Sequence, residues 1–203
     1  METKTSLKLS RKDYFRALMA GVAIGVANCT VFRTENIYVG AFLYSFYALS
    51  IAFFKLKLFT NQIGYWTFHP GAYIEMIILN FIGSTVALAP MMKKGNIEVI
   101  IHTCKEAYDK PWFVIITLGF ICGIVAHVGF ETKDRLLIII AVMIIIVRNL
   151  RHCVIDFTMV FVTFLMTKDM SLIGKFVLVI IGNILGSTVI HAINNYSRMT
   201  DED

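Results

Sequence analysis

Long apolar runs alternate with short charged interruptions along the chain, and a membrane-spanning helix needs about 20 mostly apolar residues. Six stretches approach that length: near 17–34, 37–59, 72–92, 112–130, 136–166 and 172–194. The first ends at Arg33 and Glu35, and the third at Lys93 and Lys94. A polar, partly amphipathic connection fills about 93–111, and the acidic tail DED closes the chain. The fifth stretch is too long for one straight span, and "RNLRHCVID" (Arg148 to Asp156) charges its centre. A helix broken near the middle of the bilayer reconciles these facts, because irregular backbone is tolerated there when it faces protein or a water-filled cavity. The second stretch has the same anatomy: an apolar run, then "KLKLFTNQIG" (Lys55 to Gly64), then a resumed hydrophobic segment.

The parallel extends to sequence. "NFIGSTV" from Asn80 recurs as "NILGSTV" from Asn183 with five of seven residues identical, an offset of 183 − 80 = 103. Gly21 and Gly25 recur as Gly119 and Gly123, and Leu58-Phe59-Thr60 aligns with Asp156-Phe157-Thr158, each at an offset of 98. Each repeat holds three spans, and an odd number reverses orientation. The halves are therefore expected to be inverted copies whose broken second and fifth spans meet near the midplane. The predicted architecture is an all-α membrane protein of six transmembrane helices in one domain over 1–203. It divides into a basic segment (1–16), repeat 1 (17–92), the polar connection (93–111), repeat 2 (112–194) and the tail (195–203).

Composition agrees. Hydrophobic residues make up 57% of the chain and charged residues 16%, with a mean hydropathy of +0.71; soluble domains carry about 25% charged residues. The net charge of +5 does not point to nucleic acid, since Lys4, Lys8, Arg11, Lys12 and Arg16 cluster before the first apolar run, as cytoplasmic anchoring at anionic lipid produces. The first apolar stretch is long and lacks an A-x-A-like cleavage site, so the first span is expected to stay. Counting basic residues by side, this group included, gives eight with the N-terminus and seven opposite. The dense first group decides for both termini in the cytoplasm and the body in the cell (plasma) membrane. Cys29, Cys104, Cys122 and Cys153 lack C-x-x-C spacing and read as small packing residues.

Together, the three-plus-three inverted repeat, Leu58-Phe59-Thr60 at the first break, His152 at the second, "LNFIGS" (Leu79 to Ser84) and "GNILGS" (Gly182 to Ser187) resemble the formate/nitrite transporter family over roughly 12–195. The resemblance implies an aquaporin-like helical fold and a homopentamer with one pore per protomer. It also implies passage of small monovalent anions or their neutral acids, such as formate, nitrite, hydrosulfide and lactate. Several positions depart from the family pattern. Lys57 stands where an acidic residue is usual, Arg151 where Glu precedes the pore histidine, and Asp156 where Asn is typical; His127 is an addition to span four. The segment between Thr60 and Asn80 is short, so half of the broken second span is expected to be nearly absent.

His152 is the leading pore residue, because a neutral imidazole donates a hydrogen bond to an anion and can deliver a proton near neutral pH; a core histidine bonded to a backbone carbonyl is the alternative. Lys57 and Arg151 either attract anions at the two vestibules or form structural ion pairs, with Asp156 and Glu75 as partners, because lone cations in the membrane are costly. Arg148 can pair with Glu131 or snorkel. Thr60 either bonds the passing substrate or caps the following helix. Asn80 and Asn183 read as structural anchors of the broken loops, and Phe59, Tyr44 and Ile145 as candidate apolar constrictions that gate by dewetting.

The expected function is a channel or proton-coupled carrier for a small weak-acid anion. A pore for a neutral solute such as urea, ammonia or water is the alternative, weakened for water by the lack of paired NPA sequences. His152 and Cys153 point about 100° apart on a helix and make a poor nucleophile–base pair, so no enzyme is expected. Neither a P-loop nor a carboxylate/His metal pattern is evident in the sequence, so no cofactor or metal is expected.

Overall fold

A computed structural model describes residues 7–200, and the expectations attached to Lys4 and to the acidic tail at 201–203 lie outside the described residues. Among those residues the secondary structure is helical, apart from an isolated bridge between Leu7 and Phe68. Helix α1 (Arg11–Arg33) starts at Ser10, whose hydroxyl accepts from the Asp13 amide while Asp13 reaches back to the Ser10 N–H. This reciprocal cap satisfies two otherwise orphaned donors. Helix α2 (Ile37–Phe53) comes next, behind an Asn36 cap. A one-turn helix α3 (Phe59–Gln62) and a 3-10 turn (Ile63–Tyr65) are all that remains of the second half of span two. Helix α4 (Pro70–Leu88) begins with proline in its first turn, where no N–H is missed.

The connection between repeats is itself helical, as α5 (Lys94–Tyr108). Beyond it lie α6 (Trp112–Glu131), α7 (Arg135–Val147) behind an Asp134 cap, α8 (Cys153–Thr167) behind His152, and α9 (Met170–Thr200). The last helix runs beyond 194, since no residue after Met170 breaks it within the described chain. Among the described residues four helices (α1, α4, α6 and α9) are long and apolar enough to cross a membrane. At 1.5 Å per residue, α2 and α7 reach only about 25 and 20 Å, short of a hydrocarbon core of roughly 30 Å. They are the first halves of the two broken spans.

Helix α1 packs along α4, α6 packs along α9, and α2 lies against α7. The glycines of the repeat sit at the two long crossings. A Cβ on Gly21 would stand 2.1 Å from the Asn80 carbonyl oxygen, and one on Gly186 would stand 2.0 Å from that of Phe120. Any larger side chain would push the helices apart. Exposed aromatics mark both ends: Tyr14, Trp66 and Tyr196 on the face with the N-terminus, and Tyr38, Trp112 and Phe113 on the opposite face. Such girdles belong at the two water–lipid interfaces. Between them the outward residues are apolar, including Phe42, Phe46, Ile78, Ile121, Val177 and Leu185.

A candidate pore at two helix breaks

Both breaks begin with the same backbone turn. Lys55 and Asn149 take positive φ, 51° and 52°. Leu56 N–H then bonds back to the Ile51 carbonyl, and Leu150 N–H to that of Ile145, each at 2.9 Å. This is the left-handed C-cap that ends a helix while satisfying its last carbonyls.

One asparagine then holds each break. Asn80 Nδ2 donates to the carbonyls of Ala17 (2.7 Å) and Lys57 (3.0 Å), and its Oδ1 accepts from Phe59 N–H (2.8 Å). Asn183 Nδ2 donates to Gly119 (2.8 Å) and Arg151 (2.9 Å), and its Oδ1 accepts from Cys153 N–H (2.8 Å). Both amides are fully buried. These bonds correct the register read from sequence. Gly119 corresponds to Ala17 (119 − 17 = 102) rather than to Gly21, and Cys153 to Phe59 (153 − 59 = 94). The constant offset of 98 does not hold, because the halves differ in helix length: α2 has 17 residues and α7 has 13. In the structural register Lys57 matches Arg151, and Leu58 matches His152.

The breaks bring Thr60 and His152 together. Thr60 Oγ1 lies 3.0 Å from His152 Nε2, and both residues are buried. His152 also caps α8, its Nδ1 accepting from Ile155 N–H at 3.3 Å. A nitrogen that accepts from an amide carries no proton, so the neutral ring bears its proton on Nε2 and donates it to Thr60. The threonine hydroxyl hydrogen is then free to point at a third group.

Arg151 is buried beside His152, but it is occupied. Its Nε and Nη2 donate to the Asn149 carbonyl (3.2 and 3.0 Å), Nη2 also bonds Asn149 Oδ1, and Nη1 lies 3.6 Å from Asp156 Oδ2. Tyr108 Oη donates to the same carboxylate oxygen at 3.0 Å, and the guanidinium lies 5.7 Å from the Tyr108 ring centroid. Asp156 is thus the partner of Arg151, and Tyr108 on α5 is a member that sequence reasoning missed; nothing in a connecting segment marks one tyrosine for the core. Lys57 is half-buried, faces Gln62 Oε1 at 3.4 Å and lies over Phe68. Glu75, offered as its partner, instead accepts from Tyr14 Oη. Arg148 is exposed, and Glu131 takes hydrogen bonds from Tyr65 and Asn194.

The three candidate constrictions are all buried. Phe59 packs edge-on to Tyr73, and Ile145 packs in a small cluster with Cys122, Ala126 and Leu150. Tyr44 is 1% exposed with its hydroxyl unpartnered, so it is a polar group rather than a purely apolar one. Asn28, also missed, ties α1 to α8 through the Ile155 carbonyl (3.0 Å) and Thr158 Oγ1 (2.9 Å).

Two cavities approach from opposite faces. One of about 820 Å³ opens on the N-terminal face, where the second half of span two is missing. Lys55, Lys57, Lys133 and Arg135 line it with Asn61, Gln62 and several aromatics, and no carboxylate is among its described lining residues. The other, about 640 Å³, mixes Lys105 and Lys175 with Glu106, Asp109 and Asp169, and reaches Tyr108. Neither lining includes Thr60 or His152. Asn61, adjacent to Thr60, lines the first cavity, and Tyr108, bonded to the Arg151–Asp156 pair, lines the second. The cysteines are free; on α5, burial pushes the Cys104 thiol up to about 11 and keeps it protonated.

No protein-family model matches the sequence, and no curated protein matches it. Among solved structures the chain is similar to a pentameric formate channel with formate bound. That match has a TM-score of 0.76 at 15% identity and covers 93% of this chain and 97% of the other. The chain therefore has an all-α membrane fold of two inverted three-helix repeats, shared with that structure.

Proposed function

We propose that this chain is a membrane channel for small monovalent anions or their neutral weak acids, of the formate, nitrite and hydrosulfide class, and a divergent member of the formate/nitrite transporter family rather than an enzyme. The observation that carries the reading is the Thr60–His152 pair, buried where the two breaks meet. The cavity at the N-terminal face adds four cations and no described carboxylate, which concentrates anions by its field. The buried pair then meets a solute that must shed water. The Thr60 hydroxyl, polarised by the Nε2–H it accepts, offers an anion a donor, and the imidazole can pass a proton through it, so the solute crosses the apolar centre without bare charge. The fold shared with the formate channel supports the same class. The exposed apolar faces suit lipid and the neighbouring protomers of a homopentamer in the plasma membrane, with both termini cytoplasmic.

The test is flux of radiolabelled formate or nitrite into liposomes at several pH values. Flux rises toward acid pH, because the neutral acid grows about tenfold per pH unit. His152→Ala lowers it by about tenfold or more, as loss of a hydrogen bond to a charged group predicts. Equal flux in the variant, or permeation of urea with none of the anions, rejects the reading.

A further inference from the structure

A second group of titratable side chains lies at the N-terminal-face ends of α6 and α9, apart from the Thr60–His152 pair. His127 and Glu131 are one turn apart on α6 and leave the same side of the helix; α9 brings His191 alongside. One ring nitrogen from each histidine and one carboxylate oxygen all fall within 4.8 Å of one another. His127 Nε2 is 3.6 Å from Glu131 Oε2, and the two imidazole centroids are 5.3 Å apart.

An independent observation points to a ligand. His127 is 2% exposed, yet neither of its ring nitrogens has a hydrogen-bond partner. Leaving a buried polar group unpaired costs about 1–3 kcal/mol, and such groups are rare. Nδ1 of His191 is likewise buried without a partner. The surroundings fix these rings as the outer shell of a metal site would. Tyr65 packs 5.0 Å from the His127 ring and 4.8 Å from that of His191, and its hydroxyl donates to Glu131. Gly64 presses its backbone on His127, where a Cβ would come within 2.8 Å of the ring.

We propose that His127, Glu131 and His191 bind a divalent transition-metal ion, zinc by donor chemistry, which clamps α6 to α9 beside the large cavity. Two imidazoles and one carboxylate suit a borderline ion and not magnesium or calcium, which take oxygen donors. Three protein ligands leave a fourth position open, as in zinc sites of this donor set. Zinc–nitrogen bonds of about 2.0 Å place tetrahedral donors roughly 3.3 Å apart, so small side-chain rotations close the site. Ligation through His191 Nδ1 puts that ring's proton on Nε2. The Asn195 side chain, 3.0 Å away, accepts this proton once its amide turns over. Tyr65 also lines the cavity, so the bound ion stiffens the wall past which solute enters.

The experiment uses the full chain in detergent, stripped with a chelator. Zinc binding is measured by competition with a fluorescent indicator, and thermal unfolding is followed with and without zinc. One ion per chain binds and raises the melting temperature, while magnesium does neither. His191→Gln and Glu131→Gln each weaken binding by at least about tenfold; His69→Gln/His102→Gln, at exposed histidines elsewhere, leaves it unchanged. Cobalt gives the absorption bands of a tetrahedral site, and these disappear in Glu131→Gln even if the His191 variant folds poorly. Equal zinc affinity in native protein and both ligand variants, or loss that tracks the His69/His102 variant, overturns the proposal. None of these readouts depends on transport, so they stand apart from the flux test.

Discussion

At 54–58 and at 148–152 the backbone does the same thing: a left-handed residue ends a helix, an i to i−5 bond closes the turn, and a buried asparagine from α4 or α9 ties the loop down. Past the turn the two chain segments diverge. After the first break only one turn of helix forms, and its cap position holds Leu58, which offers no side-chain bond. After the second, fifteen residues of α8 start from His152, whose ring caps them. The cation of the first break faces an open basic cavity, whereas that of the second is sealed between Asp156 and Tyr108. The duplicated part is scaffolding, whereas the imidazole and the buried ion pair belong to the second copy and the hydroxyl that meets the imidazole to the first. Inverted symmetry thus places two breaks face to face without making them chemically equal.

The strongest test of the shared scaffold removes its anchors. Asn80→Ala and Asn183→Ala each strand three backbone groups, all buried but the half-buried Lys57 carbonyl, which at about 1–3 kcal/mol apiece costs roughly 3 kcal/mol or more. Both variants lose monodispersity and unfold at lower temperature, by similar amounts. If only one does, the breaks are not equivalent. Next in size is the asymmetry of the cations. Arg151→Met leaves a buried carboxylate without its cation and costs about 3–5 kcal/mol, most of which Arg151→Met/Asp156→Asn restores. Lys57→Met, at the matching position on the open cavity, changes stability by about 0.5 kcal/mol or less. Thermal unfolding of the three variants checks the contrast.

The same asymmetry separates what the sequence reveals from what it hides. Six apolar runs, two charged interruptions and the repeated Asn-x-x-Gly-Ser-Thr-Val expose the inverted architecture, because lipid imposes a period and a length that few sequences counterfeit. Thr60 and His152 can be singled out because each sits at a break. Register is harder. Matching glycines one turn apart fit two alignments equally in the sequence, and the asparagine bonds of the folded chain choose the offset of 102. Tyr108, Asn28 and the His127–Glu131–His191 group stay hidden for another reason. Tyr108 and Asn28 have partners tens of residues away, and although His127 and Glu131 share a local four-residue spacing, the third member, His191, is 60 residues beyond Glu131.

A smaller effect concerns entry. Lys57 helps line a cavity with three other cations, so Lys57→Met lowers formate flux a few fold at low ionic strength. The difference fades above roughly 0.5 M salt, where screening lengths fall to a few ångströms. Reconstituted flux over a salt series measures it, and a salt-independent loss places Lys57 in the conduction path itself.

A last, small effect reverses sign between the breaks. Lys55 and Asn149 both hold the left-handed conformation, which costs a residue with a Cβ about 1–2 kcal/mol, asparagine less than most. Glycine removes that strain but adds chain entropy to the unfolded state, about 0.5–1 kcal/mol. Lys55→Gly therefore comes out stabilising by up to about 1 kcal/mol, since its exposed side chain has little to lose. Asn149→Gly gains less from relieved strain and gives up the hydrogen bond from Arg151 Nη2 to Asn149 Oδ1, beside a guanidinium that is nearly fully buried. It comes out destabilising by about 1 kcal/mol. Melting temperatures that move in opposite directions place the chemical load on the second break; a rise in both variants makes Asn149 a cap and nothing more.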